Sequence, residues 1–162
     1  MEELRGLPGR GNACAGGRIG AMSRRSRSRS LQLDNPPGLR EGRLAQCPAG
    51  PHCVSSLEER PARRVAPIGY AIARAEVSAL LLELIGSWPR MQIVTAGTDY
   101  IHAVQRSRVF RFPDDLECHL PADERLVYLR SCARFGWYDF GVNRARVERL
   151  RQAVNRRLAQ RR

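Results

Sequence analysis

The sequence predicts an α+β domain of two layers. An antiparallel meander of four strands, or five with a short strand at its front, is covered by two helices in the order (β)-α-β-β-β-β-α. Three observations carry this expectation. Apolar residues recur at spacings of three and four between Tyr70 and Trp88, and again from Asn143 onward. Between those segments the pattern alternates with a period of two, as strands do. The links between the alternating segments are short and rich in Gly, Asp and Pro, which permits hairpins but no crossover helix.

Each element follows from its residues. A short front strand is placed near Val65–Ile68. Val77, Leu80, Leu81, Leu84 and Trp88 form the apolar stripe of the first helix, which Gly86 and Pro89 end. "MQIVTAG" sets Met91, Ile93 and Thr95 against Gln92 and Val94, and Gly97-Thr98-Asp99 turns the chain. "YIHAVQRSRVF" returns as a second strand with Tyr100, His102 and Val104 on one face. "PDDLECHL" gives a third strand from Leu116 to Leu120, preceded by Asp114 and Asp115. In "RLVYLRSCARF", Leu126, Tyr128, Arg130 and Cys132 share one face of the fourth strand, and Val127, Leu129, Ser131 and Ala133 the other. The last helix carries Val147, Leu150, Val154 and Leu158, with Asp139 or Asn143 as its cap. Ser55 with Glu58, or Ser56 with Glu59, has capping-box spacing for a single turn that Pro61 would stop.

The charge of +12 is unevenly placed. Residues 1–30 carry seven Arg against two Glu, and residues 142–162 carry eight Arg against one Glu. Residues 31–141 carry thirteen Arg and thirteen acids and are balanced. No lysine occurs, which excludes Schiff-base, P-loop and lysine general-base chemistry. Residues 1–33, with "SRRSRSRS", are low in complexity and read as a disordered tail. That tail is expected to be an over-called start, with Met22 as the second start, then a targeting segment, then an RNA-binding arm. Residues 34–162 are read as one domain with an extended arm over 34–67. No apolar run reaches the ~20 residues of a membrane span. Five cysteines without an export signal point to a reducing compartment and mostly free thiols, hence to the cytoplasm.

Three blocks, "LREGRLAQCPAGPHCVSS", "RSRVFRFPDDLECHL" and "LRSCARFGWYDFGVNRARVERLR", resemble in order and spacing the family catalogued as domain of unknown function 1499. The resemblance covers about Pro37 to Leu158 and implies no reaction, ligand or cofactor. Its occurrence in plastid-bearing eukaryotes as well as bacteria implies a plastid destination if residues 1–33 are a transit segment. Members carry asparagine where this chain has His52, so chemistry at His52 would be particular to this protein.

Four constellations are candidates for function. Cys47 and Cys53 are separated by five residues, against the two to four that zinc knuckles prefer, so no metal is expected there. Cys53 beside His52 is a weak candidate nucleophile, because neighbours on an extended chain point apart. The pair is read either as a disulfide, which Pro48, Gly50 and Pro51 allow, or as two buried thiols shaping a turn; the second reading is favoured. Asp114 and Asp115 are weak acid–base candidates, with turn or cap work favoured. His102 and His119 are read as ordinary sheet residues.

Arg130, Ser131, Arg134, Asp139, Asn143 and Arg144 gather where the fourth strand ends and the last helix begins. They form either an anion-binding groove at a helix N-terminus or an Arg–Asp network locking strand to helix. Arg149, Arg151, Arg156, Arg157, Arg161 and Arg162 make the last helix basic. The expectation is a small soluble binding or accessory module without enzymatic activity and without a cofactor. Its expected partner is an anionic small molecule or lipid. The alternatives are an enzyme using Cys53 or Asp114/Asp115, and a nucleic-acid-binding accessory protein acting through its basic ends.

Overall fold

A computed structural model describes residues 36–136 and 139–161; the tail expected over 1–33, and Cys14 with it, lies outside the described residues. The elements are β1 (Leu39–Arg40), β2 (Arg43–Leu44), β3 (Cys53–Ser55), β4 (Ile68–Gly69), α1 (Arg74–Gly86), β5 (Met91–Ala96), β6 (Tyr100–Arg106), β7 (Pro113–His119), β8 (Leu126–Ala133) and α2 (Val142–Ala159). The class is α+β, as the sequence predicts. β5, β6, β7 and β8 form the expected antiparallel meander.

The sheet has six strands rather than four or five. β3 pairs with the second half of β8, Cys53 opposite Cys132 and Ser55 opposite Arg130. β4 pairs with the first half of the same edge, Ile68 opposite Val127. Two short pieces thus share one edge of one long strand. β4 is the expected front strand, placed a little later than Val65. β3 was not foreseen, because three residues are too few to show alternation.

Turn chemistry fixes the register. Gly97 N–H bonds the Tyr100 carbonyl at 2.9 Å. A Cβ on Gly97 would stand 3.0 Å from that oxygen and 3.1 Å from Asp99 Oδ1, so a larger residue would crowd the turn. Ser78 Oγ reaches the Gly97 carbonyl at 2.8 Å and ties α1 to this turn.

The two faces of the sheet bury different chemistry. Ile101, Ala103, Leu116, Cys118, Val127 and Leu129 face the helices and form one core with Val77, Leu80, Leu81 and Ile85 of α1 and Val147, Leu150 and Val154 of α2. Arg149 of α2 lies 4.7 Å over the Trp88 ring beyond the end of α1. The intervening residues of the same strands point the other way: Tyr100, His102, Asp115, Glu117, His119 and Arg130. All but Tyr100, which is half-buried, are fully or nearly buried. The arm before β3 covers this face: β2 packs on β7 and β8, Leu44 and Ala45 are buried, and Gly38 N–H bonds Glu117 Oε1 at 2.7 Å.

Three further boundaries differ from expectation. The second strand ends at Arg106, because Ser107 closes a turn with Phe112: Ser107 N–H bonds the Phe112 carbonyl, and Phe112 N–H bonds Ser107 Oγ, both at 2.9 Å. The third strand begins at Pro113, so Asp114 and Asp115 are strand residues and not turn or cap residues. Aspartate is a poor strand former, but here each carboxylate meets an arginine. No helical turn follows Ser55; that residue ends β3, and its Oγ accepts the Leu57 N–H at 3.2 Å.

Candidate functional site

Of the residues singled out at the end of β8 and the start of α2, Ser131, Asp139 and Asn143 come together, while Arg130 and Arg134 lie on the other face of the sheet and Arg144 reaches the arm. Asp139 caps α2: its Oδ1 accepts Gly141 N–H at 3.0 Å and its Oδ2 accepts Asn143 N–H at 2.9 Å. Gly141, at φ +77°, makes the left-handed step into the helix. Asn143 is fully buried, with its Nδ2 donating to the His52 carbonyl at 3.0 Å. Ser131 Oγ lies 2.7 Å from Asn143 Oδ1 and 2.9 Å from the Asp115 carbonyl. Arg146, which lies in the third family block but was not among the candidate site residues, is the hub on the helix side. Its guanidinium donates to Gln105 Oε1 and Ser131 Oγ, both at 2.8 Å, to Asn143 Oδ1, and to Asp114 Oδ2 at 2.5 Å.

On the opposite face a second network runs across the strands. Asp115 receives a two-pronged Arg134 contact, Nε to Oδ2 at 2.9 Å and Nη2 to Oδ1 at 2.7 Å. His102 Nε2 stands 2.7 Å from the same Oδ1. Glu117 Oε1 accepts the Tyr100 hydroxyl at 2.7 Å, and its Oε2 pairs with Arg130 Nη1. Arg144 instead holds the arm, donating to the carbonyls of Ala62 at 2.8 Å and Arg64 at 3.1 Å. Asp114 and Asp115 therefore point to opposite faces, each engaged by its own arginine. Among the described residues no three Cys, His, Asp or Glu side chains gather to hold a metal.

Adjacent carboxylates in different surroundings are pushed in opposite directions. Burial raises Asp114, and Arg146 only partly offsets it. Burial also acts to raise Asp115, but hydrogen bonds from His102 and Arg134 outweigh it and hold that carboxyl below its ordinary 3.8. Burial and the Glu117 charge push the Tyr100 hydroxyl upward.

The cysteines depart from the favoured reading. Cys47 and Cys53 are joined in a disulfide across a Cα separation of 5.6 Å. Arg63 braces the enclosed loop by donating to the carbonyls of Pro48 at 2.7 Å and Ala49. With its sulfur bonded, Cys53 has no thiolate to pair with His52. Cys132 packs against the bridge as a free thiol, and burial pushes it up to about 11. Cys118 is free and fully buried in the apolar core, and is pushed up further.

A third feature lies at the same end of the sheet, on its surface. The β6–β7 turn presents Val109, Phe110 and Phe112, and the β8–α2 junction presents Phe135, Phe140 and Val142, all exposed. Phe110 and Phe112 stack at 5.5 Å between ring centroids, and Phe112 meets Phe135 at 5.9 Å. Arg106, Arg108 and Arg111 stand exposed among them. The sequence reading missed this rim because it assigned "RSRVF" to a strand. Clefts of about 250 and 300 Å³ open elsewhere, between β4 and α2 and beside Cys47 and Glu58.

The family described as "Protein of unknown function (DUF1499)" has a model that matches residues 43–154, most of the described domain. The chain belongs to this family. No curated protein and no solved structure matches it. The matched span of this DUF1499 chain includes β3 through most of α2, hence both charged networks, the disulfide and the rim.

Three outcomes are expected. Glu117→Gln leaves the Arg130 charge buried against a neutral partner and should cost about 3–5 kcal/mol in denaturant unfolding. Replacing the pair together, Glu117→Leu with Arg130→Met, should recover most of that loss. Acid titration should separate the two aspartates. Asp115, lowered in the fold, contributes stability above 3.8 that is lost as pH falls through its folded value. Asp114, raised in the fold, costs stability as pH climbs from 3.8 through its folded value. The free energy of unfolding, measured across the acid range, should therefore rise less steeply with pH in Asp115→Asn and more steeply in Asp114→Asn. Finally, alkylation of the native protein followed by non-reducing peptide mapping should find Cys118 and Cys132 unlabelled and Cys47 joined to Cys53. Rapid native labelling of Cys53 would restore the nucleophile reading.

Proposed function

We propose that this domain is a non-enzymatic binding module that engages an anionic partner at the end of the sheet where the β6–β7 turn meets the β8–α2 junction. The observation that carries the reading is the contrast between interior and rim. In the interior, Arg130, Arg134 and Arg146 each meet a carboxylate. At the rim, Arg106, Arg108 and Arg111 have no ion pair among the described residues. The nearby acids Asp114 and Asp115 are paired with Arg146 and Arg134, while Asp139 keeps its charge at the start of α2.

The groove residues Arg130, Ser131, Arg134, Asp139, Asn143 and Arg144 are, in this reading, the frame behind the contact surface. Asp139 already supplies the anion at the start of α2. An enzyme using Cys53 or Asp114/Asp115 is less well supported, because the sulfur is bonded and both carboxylates are engaged. Binding of nucleic acid through the C-terminal helix also loses support. Arg151 pairs with Glu148, Arg157 with Glu83 and Arg161 with Glu76, while Arg149 lies on Trp88. The Cys47–Cys53 bond favours an oxidising compartment over the cytoplasm that the cysteine count suggested. No helix among the described residues is long and apolar enough to cross a membrane.

Chromatography on a heparin column should retain the protein and release it as salt rises. The variant with Arg106, Arg108 and Arg111 all changed to Ser should elute at clearly lower salt. Deleting residues 1–33 should leave a substantial part of the retention in place. Undiminished retention of the triple variant sinks the rim reading. Retention that vanishes with the tail deletion favours the basic ends instead.

A further inference from the structure

The four phenylalanines of this chain are Phe110, Phe112, Phe135 and Phe140, and all four are exposed. Phe110 is 74% and Phe140 is 87% accessible. With Val109 and Val142 they make six of the seven large exposed hydrophobic side chains among the described residues; Val94 is the other. Three lie in residues 109–112, and Phe135, Phe140 and Val142 lie at the β8–α2 junction; the Phe112–Phe135 ring contact and Arg134 N–H bonding the Pro113 carbonyl at 3.1 Å join the turn to the end of β8. Scattered exposed apolar residues are ordinary, but a cluster that takes every phenylalanine is a surface made for contact.

The geometry points to the surface of an anionic lipid bilayer as the partner: the phenylalanines of the β6–β7 turn and the β8–α2 junction enter the headgroup–acyl boundary while Arg106, Arg108 and Arg111 pair with lipid phosphates. This rests on the reading of the rim as the contact surface and names its partner class.

Three features favour a bilayer. The apolar set is mixed, with Val109 and Val142 among the rings, and suits hydrocarbon better than a stacking platform for bases. Phe110 and Phe112 lie nearly parallel, 22° apart, and are already stacked on each other. Single-strand binders offer open ring faces to successive bases. The arginines alternate with the apolar residues along the turn, so charge and hydrocarbon meet one plane together, as interfacial segments require. Each arginine held near an anionic leaflet contributes on the order of fivefold in affinity, and the contribution fades with salt.

Two residues of the rim also hold unusual backbone. Arg111 sits at φ +55° and Phe140 at φ +52°, in the left-handed region that disfavours such side chains. One lies in each of the two segments that carry the aromatic cluster. Local strain of this kind is found where the surroundings over-determine a conformation, and it often accompanies function.

The test uses flotation of the full chain with vesicles of phosphatidylcholine, with and without phosphatidylglycerol. The protein should float with the phosphatidylglycerol vesicles and remain behind with pure phosphatidylcholine. Phe110→Ser with Phe112→Ser should weaken that binding at least about tenfold, near 1.4 kcal/mol. The same variant should keep its melting temperature and its retention on heparin, since both side chains are exposed and uncharged. Heparin retention without vesicle binding overturns the bilayer and leaves the anionic-partner reading standing. Absence of both overturns both. Vesicle binding undiminished in the Phe110/Phe112 variant overturns insertion of the rings. Displacement of the wild-type protein from vesicles by short single-stranded DNA, lost in that variant, would assign the rings to nucleic acid.

Discussion

The buried pair Glu117–Arg130 is the constraint on which the rest of this domain depends. Both side chains are essentially inaccessible, and they sit directly opposite each other on the paired strands β7 and β8. His102 is opposite Glu117 on its other side. An uncompensated charge at such depth costs several kcal/mol, so the carboxylate must be paired and its other oxygen must find donors. Tyr100 supplies one from the sheet and Gly38 supplies one from the arm. The arm is therefore needed for more than apolar cover: its backbone completes the coordination of a buried charge. A one-residue slip of β7 or β8 would carry Glu117 or Arg130 into the apolar side beneath the helices. Buried ion pairs are weak contributors to net stability, but here the pair opposes any other register as strongly as the apolar face favours this one.

The disulfide belongs to the same layer. Ala133 N–H bonds the His52 carbonyl at 3.0 Å, which makes residues 52 and 133 a hydrogen-bonded pair. Cys53 and Cys132, one step along, are then a non-hydrogen-bonded pair, the type in which opposing side chains approach most closely. Cys132 is thereby set against the Cys47–Cys53 bridge, and the three sulfurs make a small apolar patch beside the charged rows. The bridge pins the arm to β3, β3 lies along β8, and the arm closes over Glu117. The loop closure and the charge layer are two parts of one attachment.

What was legible in the sequence was whatever repeats locally. The two faces of β8 could be read residue by residue, because an eight-residue strand shows its alternation. The apolar stripe of α1 was legible except that Ile85, not Leu84, is the deeper residue. β3 and β4 carry too few residues to show a period; their existence depends on a partner some sixty to eighty residues away. Asp114 and Asp115 read as turn residues because the arginines that let them lie in a strand, Arg146 and Arg134, are distant in the chain. The β8–α2 cluster was legible as a gathering of polar residues, but not the allocation of its charges. Which carboxylate meets which guanidinium depends on which face each strand residue takes. The rim was hidden by the reverse error: "RSRVF" has strand-like alternation, and only the Ser107–Phe112 contacts show that it turns.

The phenylalanines are not placed as core residues. A buried phenylalanine contributes about 1.5–3 kcal/mol relative to an exposed one, and this core takes none, relying on Leu, Ile and Val with Tyr70 and Trp88. The structure is equally economical with charge, engaging the guanidiniums of Arg130, Arg134 and Arg146 with buried carboxylates. A chain so strict about pairing inside nevertheless exposes all four phenylalanines, two of them in a turn that also exposes Arg108 and Arg111. Exposed side chains of this kind gain less from folding than buried ones do. The proposed contact with a surface that is apolar beneath and anionic above would satisfy both kinds of side chain at once.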